Sequence, residues 1–66
     1  MLGVVKKWSD SKGFGFISSD LGEVFVHYTY ISDELKTLKI GDLVSFEEKA
    51  YFLGYEAMNV KTCKQQ

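Results

Sequence analysis

Aromatic and lysine side chains recur at every second position in two short segments of the chain, Lys12 to Ile17 and Val24 to Tyr28. Side chains alternate between the two faces of a β-strand, so the aromatic residues of each segment should share one face. Flat rings beside lysine can stack on the bases of single-stranded nucleic acid while the ammonium group contacts phosphate. The pattern predicts a surface for this chemistry, formed by Lys12, Phe14, Phe16, Phe25 and His27.

The opposite faces of the same two segments carry aliphatic residues, Ile17, Val24 and Val26, which are the expected core. If the parity were reversed, the phenylalanines would form the core and these residues would be exposed. The reversed arrangement would also bury Lys12 and His27, at the cost of desolvating both polar groups. We therefore expect the rings to face outward, with the glycines between them allowing a neighbouring segment to approach closely.

Catalysis is not indicated by the residues that usually perform it. The chain has one histidine, His27, and one cysteine, Cys63, and its carboxylates show no catalytic spacing relative to either. A lone histidine without partners does not suggest a metal site, and a single cysteine cannot form an intramolecular disulfide. The sequence predicts a protein that is not an enzyme and needs no cofactor or metal.

The charge of the chain is unevenly distributed, although the net charge is only −1. Lys6, Lys7 and Lys12 face a single acid, Asp10, in the first nineteen residues, and eight of the nine acids follow from Asp20 onward. One end should therefore be locally basic, as phosphate contacts require. Arginine is absent, so the bidentate contacts that read guanine in duplex DNA are unavailable and sequence-specific duplex binding is not expected.

Apolar and polar residues alternate along the whole chain, interrupted by glycine-containing turns, and no helical period is sustained. The hydrophobic fraction of 45% suits a globular protein, and we expect a single domain over residues 1–66. An all-β fold with five short strands follows from the alternation. The predicted strands are Gly3 to Trp8, Gly13 to Ser18, Val24 to Tyr28, Leu43 to Lys49 and Tyr55 to Lys61.

The connection from Thr29 to Asp42 is the longest in this scheme, and its apolar residues suggest a helical turn that closes one end of the fold. These residues are Ile31, Leu35 and Leu38. Five short antiparallel strands in a small chain favour a closed barrel, because closure leaves no unpaired strand edges. We predict a small five-stranded antiparallel OB-fold β-barrel.

Two motifs in these segments resemble those of the cold-shock domain family. Lys12-Gly13-Phe14-Gly15-Phe16-Ile17 is similar to the first ribonucleoprotein motif of that family, and Val24-Phe25-Val26-His27-Tyr28 resembles the second. The resemblance implies an OB-type barrel that binds single-stranded RNA or DNA, acting as a nucleic-acid chaperone or as a regulator of transcription or translation. Carried over by position, it implies binding roles for Lys6, Lys12, Phe14, Phe16, Phe25, His27 and Tyr28. Strict alternation would turn Tyr28 inward, whereas the family places its aromatic residue at the strand end, facing out.

The chain departs from the family pattern at the flanks of these motifs. The family usually reads Lys-Trp-Phe-Asn where this chain has Lys6-Lys7-Trp8-Ser9, so we expect Lys7 and Trp8 in the binding site, with Trp8 stacking in place of the missing ring. Alternation with Val5 inside predicts that Lys6 and Trp8 face the binding side. Leu35 stands where the family often has another stacking ring. Aromatic residues in the loops, which are alternatives for that role, are Tyr30, Tyr51 and Phe52.

The main alternative function is an SH3-like module that grips a proline-rich peptide in an aromatic groove. That alternative does not account for the lysines or for the alternating glycines. We expect a cytoplasmic protein without membrane association, because no apolar run of about 20 residues and no signal peptide are present. We expect a monomer, with a strand-exchanged dimer as the other option. Stacking does not distinguish RNA from DNA.

Overall fold

The computed structural model describes residues 1–32 and 36–63 and forms a closed β-barrel. Its strands, in chain order, are β1 (Leu2–Ser9), β2 (Phe14–Ser19), β3 (Gly22–His27), β4 (Leu43–Tyr51) and β5 (Gly54–Thr62). Around the barrel the order is β1, β2, β3, β5, β4. The predicted all-β, five-stranded OB-type barrel is confirmed, and each predicted strand is found with ends shifted by a few residues.

The strands pair antiparallel everywhere except where β3 meets β5. That contact is parallel and short, with Val24 beside Tyr55 and Phe25 beside Glu56. The prediction of a wholly antiparallel sheet is therefore corrected at one junction. The chain reaches β5 only after passing through β4, so β5 returns in the same direction as β3 when the barrel closes.

Among the described residues, ten hydrophobic side chains fill the barrel interior, each at most 3% exposed. They come from all five strands and from the segments that cover the barrel end. Full burial of an aliphatic side chain stabilises a fold by about 1.5–3 kcal/mol, so this set supplies the main driving force for folding. Its members are Val5, Ile17, Val24, Val26, Ile31, Leu38, Val44, Phe46, Ala57 and Val60.

The connection between β3 and β4 begins with a 3₁₀ turn, Tyr28–Tyr30, and the helical turn expected between Ile31 and Leu38 lies partly outside the described residues. The turn starts directly at the end of β3, where the Ile31 amide donates to the Tyr28 carbonyl at 3.1 Å. Ile31 and Leu38 are buried, as expected for residues that close the barrel. Leu35, the third apolar residue of that prediction, lies outside the described residues.

Strand β1 contains a β-bulge at Lys6. Val5 lies opposite Ile17 on β2, but the next pair is Lys7 with Phe16, so Lys6 has no partner in the ladder. One extra residue exchanges the two faces of a strand beyond that point. The bulge therefore decides which side chains of β1 reach the outer face of β2.

In the part of the chain that the structure describes, no helix is long and apolar enough to span a membrane.

Candidate nucleic-acid interface

Three phenylalanine rings form a connected cluster on the outer face of β2 and β3. Phe25 lies between the other two, with its ring centroid 5.8 Å from that of Phe14 and 5.9 Å from that of Phe16. The rings are partly exposed, whereas Ile17, Val24 and Val26 on the opposite face are fully buried. The predicted parity of the two strands is confirmed, and the reversed arrangement is excluded.

His27 and Tyr28 extend this cluster at the end of β3. Their ring centroids are 4.7 Å apart, and Tyr28 is 45% exposed. Strand β3 ends at His27, so the alternation that would turn Tyr28 inward no longer applies to it. The predicted outward position of Tyr28 is confirmed. We call the whole surface the aromatic face, formed by Phe14, Phe16, Phe25, His27 and Tyr28.

Gly13 holds the Tyr28 ring against β2. The Tyr28 amide donates to the Gly13 carbonyl at 2.8 Å, and a Cβ atom at Gly13 would lie only 2.7 Å from Cδ1 of the ring. Gly13 also has a φ of +76°, a conformation that side chains disfavour. The glycine is needed both for its backbone angle and for the position of the ring.

Gly15 lies where the bulge brings β1 closest to β2. A Cβ atom there would overlap the backbone carbonyl of Lys7 and would lie 2.8 Å from the Cα atom of Trp8. Gly15 has no positive φ, so its requirement is for space alone. This confirms the expectation that the glycines of this motif allow a neighbouring strand to approach closely.

The bulge reverses the predicted facing of Trp8 on β1. Lys7, not Trp8, lies beside Phe16 on the outer face, and Trp8 lies beside Gly15, whose side of β2 faces the core. The expected alternation fails beyond Lys6, because the extra residue shifts it by one, although Trp8 still lines a surface hollow with Lys12 and Phe14. Lys7 is thereby placed next to the aromatic face.

Trp8 is half-buried and packs against the core cluster, so part of its side chain remains at the surface. It lines a hollow together with Lys12, Gly13 and Tyr28. Its indole Nε1 donates to Oδ1 of Asp10 at 2.6 Å. The ring therefore borders the aromatic face instead of lying within it, and a stacking role for Trp8 stays a prediction.

Asp10 anchors Trp8 and was not singled out by the sequence. Its carboxylate also accepts a hydrogen bond from Oγ1 of Thr37, in the connection before β4. The pKa of Asp10 is lowered, first by the bond from Thr37 and then by the bond from Trp8. The carboxylate thus stays ionised at neutral pH and links the end of β1 to a segment 27 residues away. No local sequence signal marks this contact.

Lys6 differs from the other lysines near the aromatic face because it is paired. Its Nζ lies 2.8 Å from Oε2 of Glu23 on β3, and both side chains are about half exposed. The hydrogen bond and the charge of Lys6 lower the pKa of Glu23. Within the described residues, Lys7 and Lys12 make no ion pair, so their ammonium groups are available to phosphate.

Replacing Glu23 with glutamine should release Lys6 and raise the affinity for single-stranded oligonucleotides by about 2- to 5-fold, since an exposed ion pair is worth at most ~1 kcal/mol. One added phosphate contact should also steepen the dependence of log K on log salt by about 0.7. Titrations at several salt concentrations measure both quantities.

The control for this variant is Glu48→Gln, which removes the same charge from an exposed position on β4. A specific effect of Lys6 requires a larger gain from Glu23→Gln than from Glu48→Gln. Equal affinities in the two variants would show that Lys6 makes no phosphate contact.

A small closed barrel with an outward aromatic face and adjacent lysines has the architecture of the OB-fold class, which binds oligonucleotides on this type of surface. Residues 1–63 match the family model described as the 'Cold-shock' DNA-binding domain. The chain belongs to the cold-shock domain family.

Several curated relatives agree with this assignment. The chain is 49% identical over 61 residues to the cold shock-like protein CspG of Shewanella violacea, covering 88% of this chain and 87% of the relative. It is 46% identical over 63 residues to a cold shock-like protein of Thermotoga maritima, covering 92% of this chain and 96% of the relative.

The fold is also found in a solved structure, "drosophila Unr CSD456", with a TM-score of 0.75 and 23% identity. That match covers 96% of this chain and 26% of the other, so this barrel corresponds to about a quarter of the larger structure. At this level of identity the similarity concerns the fold.

Proposed function

We propose that this protein binds single-stranded RNA or DNA with low sequence specificity, by stacking bases on the aromatic face while lysines contact the phosphates. The observation that carries this proposal is the connected cluster of Phe14, Phe16 and Phe25 on the outside of two neighbouring strands. Partly exposed rings are costly on a soluble protein unless a ligand covers them. The family assignment supports the same conclusion.

The chemistry of the face favours unpaired bases. Every base has a π-face, and each stacked base contributes ~1–3 kcal/mol whatever its identity. A duplex hides these faces inside the base stack, and the chain has no arginine to read the edges of paired bases. Five or six stacks, less the cost of ordering a flexible strand, correspond to affinities between micromolar and nanomolar.

The proposed site consists of the aromatic face and the residues that border it. Lys7 lies beside Phe16, while Lys12 and Trp8 line the hollow next to Tyr28. Lys6 joins the site when it is released from Glu23. We further propose that the protein acts without catalysis, as a cytoplasmic nucleic-acid chaperone or as a regulator of transcription or translation, and that it binds as a monomer.

The test is a titration of the folded protein with oligothymidine and oligouridine of seven nucleotides, monitored by the emission of Trp8. We expect saturable quenching by both oligomers, because Trp8 borders the stacking surface. A proline-rich peptide serves as the competing ligand and should leave the emission unchanged. Binding of the peptide without binding of either oligomer would instead identify an SH3-like interaction module.

A separate measurement by calorimetry distinguishes the role of Trp8 from the function itself. Heat of binding without any change in emission would remove Trp8 from the site and leave the aromatic face in place. Absence of both signals with both oligomers would refute the proposed function.

A further inference from the structure

Phe16 and Phe25 lie side by side on the outer surface of the barrel, and this row of side chains continues beyond β3. Phe25 lies beside Glu56 across the parallel junction with β5, and Glu56 lies opposite Lys49 on β4. With Lys7 beside Phe16, one line of neighbouring residues crosses all five strands. The order is lysine, two aromatic rings, a carboxylate and a second lysine. The aromatic face therefore continues toward the β4–β5 hairpin.

A groove lies at this end of the row. It has a volume of about 500 Å³ and is lined by Phe16, Phe25, Tyr51, Leu53 and Glu56. Two of its walls are the same rings that form the aromatic face, and the other apolar walls come from the hairpin. Most of this lining is apolar, as expected for a site that receives the flat face of an aromatic ligand.

The hairpin that bounds the groove is unusually apolar for a solvent-exposed turn. Leu53 is 74% exposed and Phe52 is 93% exposed, and the Phe52 ring packs edge-on against Tyr51 with centroids 5.8 Å apart. Side chains of this kind at a strand turn favour contact with a ligand over contact with water.

Of the described residues that line the groove, Glu56 is the one with a charged side chain, and the hydrogen bonds it can make are selective. An ionised carboxylate accepts hydrogen bonds and donates none. The Glu56 side chain is only partly exposed, and within the described residues its carboxylate makes no hydrogen bond or ion pair. It repels phosphate but accepts from an amino group, as carboxylates do from the N4 amino group of cytosine.

We propose that this groove receives one further unpaired base at an end of the bound strand, and that Glu56 selects a base with an exocyclic amino group. This inference rests on the proposed function and names a specificity determinant within it. Cytosine, adenine and guanine carry such a group, whereas uracil and thymine offer only an N3–H, flanked on both sides by carbonyl oxygens that face the carboxylate unfavourably. Lys49 lies opposite Glu56 on β4, on the side away from Phe25, and its ammonium group would contact the terminal phosphate.

Two features favour a base over a second copy of the chain. The groove is continuous with the aromatic face, so the strand already bound there delivers the base without a separate binding event. A stable protein interface buries about 1,200–2,000 Å² in total, far more than a groove with five lining residues offers. A base, with one flat face and one edge, matches both the apolar walls and the single carboxylate.

The first experiment compares three RNA oligomers, seven uridines and the same oligomer with a single cytidine at its 5′ end or at its 3′ end. We expect cytidine at one of the two ends to bind about 2- to 10-fold tighter than uridine there, the range for one hydrogen bond to a partly exposed group. Cytidine at the other end should have no effect, because that end lies outside the groove.

The matched variants are Glu56→Gln and Glu48→Gln, which remove the same charge from the same β4–β5 ladder. A glutamine amide both donates and accepts, so Glu56→Gln should bind cytidine and uridine ends equally. Glu48→Gln should keep the preference for cytidine. Tyr51→Ala should lower the affinity for the cytidine oligomer more than for a uridine oligomer one nucleotide shorter.

The outcomes separate this inference from the proposed function. If no oligomer binds, both the inference and the proposed function are refuted. If oligouridine binds but no cytidine preference exists, or if the preference survives in Glu56→Gln, the inference alone is overturned. A dimer in sedimentation that Leu53→Ser dissociates, with oligonucleotide affinities unchanged, would assign the groove to self-association and would also overturn it.

Discussion

Replacing Phe25 with alanine is expected to weaken the binding of a seven-nucleotide oligothymidine by about 5- to 150-fold. The range corresponds to the loss of one stacked base, ~1–3 kcal/mol. Phe25 is the most informative position because its ring contacts both Phe14 and Phe16. Phe16→Ala should have an effect of the same order. Calorimetric titration of each variant, after circular dichroism has established an intact fold, measures these losses.

Two further variants make this prediction specific for stacking. Phe25→Leu keeps apolar bulk but removes the π-face, so it should lose nearly as much affinity as Phe25→Ala. Leu2→Ala removes an exposed apolar side chain from β1, outside the aromatic face, and should bind like the wild type. Wild-type affinity in folded Phe25→Ala and Phe16→Ala would refute the aromatic-face mechanism. Retention of affinity in Phe25→Leu alone would indicate a hydrophobic contact without stacking.

The double variant Phe16→Ala/Phe25→Ala adds a test of how the rings cooperate. The two rings pack edge-to-face at 5.9 Å, and such pairs are worth about 0.5–1.5 kcal/mol beyond their burial. Removing one ring therefore also loosens the other, and the double variant should lose less than the sum of the single losses.

Gly15→Ala is expected to destabilise the fold by about 3 kcal/mol or more. The new Cβ atom would overlap the Lys7 carbonyl. The backbone of Lys7 cannot move aside without separating β1 from β2. A domain of this size has ~3–10 kcal/mol of total stability, so much of it would be lost. Urea unfolding monitored by circular dichroism gives the change in the free energy of unfolding.

Gly41→Ala is the matched comparison, since Gly41 has a φ of +95° but nothing within 4 Å of a new Cβ atom. It should cost only the conformational strain, about 1–2 kcal/mol. If Gly15→Ala were no more destabilising than Gly41→Ala, the close approach of β1 at the bulge would not constrain the barrel.

The core of the barrel could be predicted from the sequence because it obeys simple alternation. Ile17, Val24 and Val26 occupy regular positions on two bulge-free strands, and polar residues on the other parity fixed the direction of burial. The outward cluster of Phe14, Phe16 and Phe25 follows from the same rule. Position within a regular strand carries enough information to assign a face.

The flank of the site on β1 could not be predicted in this way. A bulge is a property of two strands, because it appears only when Lys6 is left without a partner on β2. Nothing in the residues of β1 alone distinguishes this from regular pairing. Gly15 is the one trace of the bulge in the sequence, since its missing side chain makes room for Lys7, but the residue that needs the space lies on another strand.

The position of Glu56 beside Phe25 depends on how the barrel closes. These residues lie in different strands that are far apart in the chain, and the pairing is parallel, whereas alternation and short turns suggest antiparallel neighbours. The pairing register across such a junction is set by the shape of the whole barrel. The groove and its carboxylate were therefore outside what sequence patterns could indicate.

The short parallel junction has a consequence for how the barrel forms and what ligand binding does to it. Strands β1 to β3 make one local meander and strands β4 and β5 make one hairpin. The two units join at two places, with two residue pairs between β3 and β5 and three between β1 and β4. Local units of this kind form faster than contacts between distant segments, so both junctions are expected to close late in folding. A nucleic-acid strand that crosses from Phe25 to Tyr51 would bridge the two units. Bound ligand would then stabilise one of the two long-range junctions that are expected to form late.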